Sequence, residues 1–143
     1  MQITAFGTTI GIDERYVEES TDEIRRQVGE YERGERRAFD LTVAFPDDLT
    51  GRVMRAMAGI PCGETRTYGA LAADLDTSPI AVGQACGRNP VPIVIPCHRV
   101  VGSDDSLRGY SAADGVTTKR RLLDHEARVA GAESVQSRLP TGD

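Results

Sequence analysis

The part of this sequence best suited to chemistry is a cysteine followed directly by a histidine and an arginine. Cys97, His98 and Arg99 come immediately after Pro96, at the end of an apolar run. A cysteine attacks an electrophile only as its thiolate, which a neighbouring imidazole or cation favours. The pattern therefore predicts a nucleophilic thiol at a rigid, partly desolvated position. A buried structural cysteine, a common state of a free thiol, is the alternative that residue types leave open.

The remaining cysteines and histidines do not indicate a disulfide framework or a metal site. Cys62, Cys86 and Cys97 are an odd number, 24 and 11 residues apart, with no C-x-x-C pair. The chain has only two histidines. A zinc site would need ligands at closer, regular spacing, so we predict no metal.

Length and hydropathy limit the class of protein. The chain has 143 residues, of which 39% are hydrophobic and 27% are charged, which fits one domain or two small ones that share a core. No apolar run approaches the roughly 18 residues of a membrane-spanning helix. The first residues lack the basic and apolar regions of a secretory signal, so we expect a cytoplasmic protein without membrane contact.

The formal charge of −5 argues weakly against a nucleic-acid partner, but the charge is unevenly distributed. Residues 1–50 carry 12 acidic and 6 basic side chains, whereas residues 51–143 carry 10 and 11. Lys119 is the single lysine among the 17 basic residues. Arginine presents a planar fork that pairs with phosphates and base edges, although GC-rich codon usage explains the excess of arginine equally well.

The first 46 residues predict a small N-terminal α/β unit. Two short β-prone pieces at 3–6 and 8–10 flank Gly7 and predict a hairpin. Ser20 or Thr21 can cap a helix that ends at Gly34. Residues 39–45 alternate in polarity and end at Pro46, which predicts an extended or strand segment.

Residues 47–126 predict a second, mostly helical domain. A helix from Leu49 ends at Gly59, and Thr67 can cap a helix from Tyr68 to about Asp74. Ser78 can cap another, with Pro79 as its first residue, that runs to Gly87. The two helices that Thr67 and Ser78 cap predict a helix-turn-helix, although an ordinary helical hairpin fits the spacing equally well.

The rest of the chain holds the segment that leads to Cys97 and the last predicted helix. Residues 90–96 predict a buried strand or extended segment bounded by prolines. Thr117 or Thr118 can cap a last helix through Glu126. Residues 127–143 show no periodicity, which predicts a frayed or disordered tail.

Several segments together resemble one family. Residues 89–101, NPVPIVIPCHRVV, resemble the active-site signature of the O6-alkylguanine-DNA alkyltransferases, the methylated-DNA–protein-cysteine methyltransferases. Residues 63–72 resemble the segment before the family's helix-turn-helix, while 109–111 and 122–126 resemble its end. The resemblance covers about residues 36–126. It implies an α/β (α+β) fold, with a small N-terminal α/β domain before a winged helix-turn-helix-like catalytic domain.

The resemblance also implies a reaction. The family repairs DNA by moving the alkyl group of O6-alkylguanine irreversibly onto its own cysteine, which is Cys97 here, in a single turnover without a cofactor. It implies that His98 acts as the base through a water and that Glu126 orients the imidazole. Asn89 would brace the turn around the site, and the Tyr68 hydroxyl would donate to guanine N3.

For the lesion itself, the resemblance implies a pocket that holds a nucleotide flipped out of the duplex. The carbonyls of Cys97 and Val100 would face the guanine amino group. The amide of Ser111 would face O6, and Tyr110 would form one wall.

The partner implied is double-stranded DNA that contains O6-alkylguanine, bound by a monomer through the minor groove. The family's intercalating arginine falls on Ile80, which could act as an apolar wedge; an alternative register leaves Arg88 as the nearest basic residue. Arg99 could equally be a structural arginine that ties the active-site loop. The candidate DNA-binding residues are Arg66, Ile80, Ala81, Gly83, Gln84, Arg88 and Arg99.

Two other functions compete with this interpretation. A lesion-binding relative would flip alkylguanine without transferring the alkyl group, but such relatives replace the nucleophile, which is present here as Cys97. A thiol hydrolase with a Cys-His-Glu triad would turn over repeatedly, and the predicted helix-turn-helix argues against it.

Overall fold

The computed structural model describes residues 1–103 and 115–138, with the side chains described through residue 131. It combines helices with two small sheets, so the predicted α/β class is confirmed. The strands are β1 Gln2–Ala5, β2 Thr8–Gly11, β3 Arg66–Thr67 and β4 Val100–Val101. The helices are α1 Thr21–Glu32, α2 Leu49–Ala58, α3 Tyr68–Leu75, α4 Pro79–Gly87 and α5 Val116–Arg138.

The N-terminal hairpin forms as predicted. β1 and β2 are antiparallel, and Ile3 pairs with Ile10. The turn residues Phe6 and Gly7 both have positive φ, 54° and 76°, which is the backbone that a tight two-residue hairpin requires. The turn sets a register in which Ile3 and Ile10 both face the core.

The predicted helix α1 is also confirmed, and its apolar stripe joins the N-terminal segment to the core. Ser20 caps it by accepting a hydrogen bond from the Glu23 amide. Ile24, Val28 and Tyr31 are buried at helical spacing. They belong to the same hydrophobic cluster as the side chains of α2, α3 and α4, so both parts of the chain share one core.

The extended segment 39–45 does not become a regular strand. Val43 forms a single antiparallel bridge with Val17, and the Asp40 backbone is held by the buried amide of Gln27. The segment around Val17 offers only a short extended stretch for pairing, and Pro46 ends the segment 39–45. Its alternating pattern thus produces an extended chain that packs by its side chains.

The three central helices begin and end close to where the sequence predicts. Asp48, Thr67 and Ser78 each accept a hydrogen bond from a first-turn amide of α2, α3 and α4 respectively. Asp76 adopts a left-handed conformation, φ 54°, which ends α3 and turns the chain into α4. The helices α3 and α4 pack against each other across a tight turn at residues 76–78, an arrangement that fits both the predicted helix-turn-helix and the helical hairpin.

Residues 91–96 are buried, but the predicted strand or extended segment is wrong. The Ile95 amide bonds to the Val91 carbonyl at 3.0 Å, and Ile93 has a φ of 75°, so the segment folds back as a turn. Proline at positions 90, 92 and 96 removes the amide donors that a ladder needs. Beyond this turn, β4 pairs in parallel with β3, a contact the sequence did not predict.

The closing helix is longer than expected. α5 runs from Val116 to Arg138, so the predicted frayed tail is wrong for residues 127–138. This stretch contains mostly good helix formers and no proline before Pro140. Among the described residues, no helix is both long and apolar enough to span a membrane.

Candidate active site

The turn after Pro96 buries Cys97 and the two residues that follow it. Cys97, His98 and Arg99 form one 3-10 turn, and the Cys97 amide donates to the Ile95 carbonyl at 2.8 Å. The Cys97 side chain is 6% exposed and that of His98 is fully buried. The predicted nucleophile therefore lies at a fixed and nearly dry position.

Asn89 spans the loop that leads to this turn. Its amide nitrogen donates to the Ile95 carbonyl at 2.9 Å, and its side-chain oxygen accepts from the Val91 amide at 3.1 Å. Both bonds replace backbone pairing that the prolines prevent. This is the geometry that a bracing residue requires.

His98 and Glu126 meet in the interior. His98 Nε2 lies 2.7 Å from Glu126 Oε2, and both side chains are buried. Nδ1 is also buried and has no hydrogen-bond partner among the described residues. Because the carboxylate accepts, Nε2 carries the proton and Nδ1 is the basic nitrogen.

The electrostatics of the pair favour a neutral imidazole beside a charged carboxylate. Burial lowers the pKa of His98 and outweighs the attraction of Glu126. Burial acts to raise the pKa of Glu126, but hydrogen bonds from His98 and Arg99 hold it below its ordinary value. Near neutral pH the imidazole is therefore able to accept a proton at Nδ1.

Arg99 is buried rather than presented to a phosphate. Its guanidinium donates to Glu126 Oε1 at 2.8 Å and Oε2 at 2.7 Å, and to the Ile60 carbonyl. The side chain is only 7% exposed. The candidate DNA contact by Arg99 does not fit this geometry, and of the two alternatives the structural role fits.

Tyr31 is a member of this site that the sequence analysis did not select. Its hydroxyl donates to Glu126 Oε2 at 2.5 Å, across 95 positions of the chain. Burial, followed by the charge of Glu126, raises the pKa of Tyr31, so the phenol stays a donor. The only sequence signal was its position on the apolar stripe of α1, which indicates burial and not a partner.

Lys119 is the second such residue. It is 1% exposed, and its ammonium donates to the Val100 carbonyl at 2.5 Å and to the Tyr68 hydroxyl at 3.2 Å. Burial lowers the pKa of Lys119, while attraction to the thiols of Cys97 and Cys86 acts the other way. The one signal in the sequence that could have selected Lys119 is that it is the only lysine of the chain.

A groove of about 430 Å³ runs beside this cluster, between the start of α3 and the start of α4. Tyr68 is half-buried on one side, and Ile80 is 74% exposed on the other. A Cβ built on Gly83 would lie 3.9 Å from the Tyr68 ring, so Gly83 faces Tyr68 across the groove. The lining residues are Tyr68, Gly69, Pro79, Ile80, Gly83, Gly102 and Ser103.

The other candidate contacts occupy the surface around α4. Ala81 is half-buried and Gln84 is exposed. Arg88 is exposed and donates to the Thr50 hydroxyl at 2.9 Å, while Arg66 pairs with Asp74 at 2.8 Å. These arginines remain reachable from solvent, unlike Arg99.

Two predicted pocket residues, Tyr110 and Ser111, lie outside the described residues. The Val100 carbonyl, expected to face guanine, accepts from Lys119; a carbonyl has a second lone pair for another donor. Within the described part of the chain, no three His, Cys, Asp or Glu side chains are grouped as metal ligands.

These features define a class of protein: a helix-turn-helix protein with a buried cysteine beside a His-Glu pair. A family model described as the DNA binding domain of 6-O-methylguanine DNA methyltransferase matches residues 48–128. The chain belongs to this family, and the resemblance stated from its sequence is confirmed.

Individual relatives agree with this assignment. The methylated-DNA–protein-cysteine methyltransferase of Archaeoglobus fulgidus is 42% identical over 109 residues, which cover 73% of this chain and 74% of the relative. The crystal structure of Mycobacterium tuberculosis O6-methylguanine methyltransferase superposes with a TM-score of 0.71 at 37% identity, covering 82% of this chain and 72% of that one. The same bacterium's protein in complex with DNA gives 0.70 at 38% identity, over 76% and 68%.

Proposed function

We propose that this protein repairs DNA as a methylated-DNA–protein-cysteine methyltransferase, with Cys97 as the acceptor of the alkyl group. Family membership supports the reaction class. The observation that carries the assignment to particular atoms is that His98, the residue directly after Cys97, pairs with Glu126 through Nε2 and keeps a basic Nδ1 in a buried site.

The transfer is a direct displacement at carbon. Glu126 holds His98 as the tautomer with a free Nδ1, and the Cys97 proton passes to that nitrogen through a bridging water. The thiolate sulfur then attacks the alkyl carbon of O6-alkylguanine. A carbon–sulfur bond forms as the carbon–oxygen bond breaks, and the bonding electrons stay on the guanine oxygen.

The charge that develops on guanine has a nearby donor. Tyr68 lines the groove, and its hydroxyl would donate a hydrogen bond to guanine N3, which offsets negative charge on the ring. Lys119 lies behind it, 3.2 Å from the same hydroxyl. No cofactor takes part, and the thioether product does not regenerate the thiol, so each molecule reacts once.

The groove and α4 supply the DNA-binding side of the proposal. The partner is duplex DNA, with the alkylated nucleotide flipped towards the groove beside Tyr68. Ile80 stands at the mouth of that groove as an exposed apolar side chain. Such a side chain can insert between bases where the flipped nucleotide has left the stack. Ala81 and Gly83 allow the backbone of α4 to approach the minor groove.

Mass spectrometry of the intact protein and of its proteolytic peptides, after incubation with an O6-methylguanine duplex, tests this function. We expect a gain of about 14 Da, the mass of one CH2 unit, on the peptide that contains Cys97. Cys97→Ser is the matched variant and should bind the duplex without gaining mass. Binding by the wild type without an adduct would instead identify a lesion-binding protein, and repeated turnover of a small ester would identify a hydrolase.

A further inference from the structure

The Tyr31 hydroxyl is a polar group from the N-terminal part of the chain inside the candidate proton relay. It donates to the same carboxylate oxygen, Glu126 Oε2, that pairs with His98 Nε2. Tyr31 is 1% exposed and lies outside residues 48–128, the region that the family model matches.

A second contact fixes Tyr31 against α5. The backbone carbonyl of Tyr31 lies 2.8 Å from His125 Nε2, next to Glu126 in sequence. The phenol ring also packs against the rings of Phe6, Phe39 and His125. The position of the hydroxyl is thus set by the backbone and by ring packing, so its bond to Glu126 is not an incidental surface contact.

We propose that Tyr31 is a positioning residue of the Cys97 relay, through which the N-terminal segment sets the proton affinity of His98. Glu126 Oε2 accepts from the Tyr31 phenol, the His98 imidazole and the Arg99 guanidinium, so its negative charge is shared among three donors. Without the phenol, Oε2 is a stronger acceptor for His98 and stabilises the imidazolium form. The His98 imidazole then stays protonated to a higher pH, and below that pH its Nδ1 already carries a proton and cannot accept the one from Cys97.

The other charged and titratable groups around the relay come from three elements. Arg99, in the same turn as His98, holds both carboxylate oxygens. The Cys62 thiol, after α2, interacts with Glu126, and Lys119 of α5 acts on His98. Only Tyr31 contributes a donor from the first 46 residues, within the part of the chain that the structure describes.

Tyr31→Phe removes the hydroxyl and keeps the ring. The matched control is Tyr16→Phe, since Tyr16 is half-buried against the same core and its hydroxyl makes no hydrogen bond in the described structure. The readouts are the His98 ring titration by NMR and the pH profile of Cys97 alkylation by iodoacetamide. Neither uses DNA, so they test the relay separately from the proposed repair function on which the role of this residue rests.

In Tyr31→Phe we expect the His98 titration and the acid limb of Cys97 alkylation to move up together by roughly one pH unit, the effect of one buried charge-assisted hydrogen bond. Tyr16→Phe should leave both unchanged. A lower melting temperature of Tyr31→Phe with both midpoints at wild-type values would overturn the inference, because it would mean a purely structural role. If both midpoints shift but the wild-type protein forms no adduct with O6-methylguanine DNA, the relay is supported. Only the repair function is then refuted.

Discussion

Arg99 and Glu126 form a two-point ion pair inside the protein. The guanidinium Nε lies 2.8 Å from one carboxylate oxygen, and Nη2 lies 2.7 Å from the other. A planar fork on a planar carboxylate fixes the rotation of that carboxylate. Oε2 is thereby held towards His98, and the buried negative charge is offset by a permanent cation.

Arg99→Ala should therefore destabilise the protein strongly. It leaves the Glu126 carboxylate buried with its main cation removed, a change that typically costs about 3–5 kcal/mol of unfolding free energy. Urea denaturation measures the loss. Arg120→Ala is the control, since Arg120 is an exposed arginine of α5 and should change stability by about 0.5 kcal/mol or less. Equal stabilities of the two variants would contradict the buried pair.

The same cluster predicts how stability depends on pH. The folded pKa values of His98 and Glu126 both lie below their ordinary values of 6.5 and 4.5. The unfolded chain therefore binds more protons than the folded one as the pH falls below about 6.5, and stability is lost on acidification, first through His98 and then through Glu126.

Denaturation midpoints at pH 7.5 and pH 5.5 test this direction. We expect a lower midpoint at pH 5.5 in the wild type and a smaller difference between the two pH values in His98→Gln. A wild-type protein that is more stable at pH 5.5 would show that His98 gains rather than loses proton affinity on folding.

The position of Ile80 at the mouth of the groove predicts that a cationic side chain at this residue increases the affinity for duplex DNA. Ile80→Arg adds a cation where α4 meets the duplex, and we expect tighter binding to duplex DNA at low salt. The dependence of log K on log salt should steepen by about 0.9, the contribution of one phosphate contact. Binding isotherms at two salt concentrations give this slope.

Val116→Arg is the matched control for that variant. Val116 is the other exposed large apolar side chain among the described residues, 44% exposed at the start of α5 and absent from the groove lining. A similar gain in both variants would mean that the added charge acts through the general field of the protein, and that α4 is not the DNA-contacting helix.

Lys119 predicts an effect on the nucleophile. Lys119→Met removes the ammonium that donates to Val100 and Tyr68 and whose charge interacts with the Cys97 thiol. A nearby cation favours a thiolate, so iodoacetamide should alkylate Cys97 more slowly at neutral pH in this variant. We expect roughly a ten-fold decrease, which corresponds to about 1.4 kcal/mol.

Arg120→Met controls for loss of a positive charge from the same helix. It removes an exposed cation one residue further along α5 and should leave the alkylation rate at its wild-type value. An unchanged rate in Lys119→Met, with the fold intact by circular dichroism, would assign Lys119 to packing and hydrogen bonding alone.

Local signals in the chain predicted most of the secondary structure. The caps Ser20, Thr67 and Ser78 and the positive-φ turn at Gly7 act within a few residues, and their elements form where those residues predict. The Cys97-His98 dipeptide was likewise visible as a short-range pattern, and the family resemblance added Asn89 and Glu126.

Tertiary packing alone determined which side chains surround that dipeptide. Three hydrogen bonds show this: Arg99 to Glu126, Tyr31 to Glu126 and Lys119 to Val100. Each joins residues at least 19 positions apart, and the first decides that Arg99 has a structural role. No local propensity encodes such contacts, because they depend on how α1 and α5 pack over the turn at Cys97. Burial then gives these hydrogen bonds their strength, and it exists only once the shared core has formed.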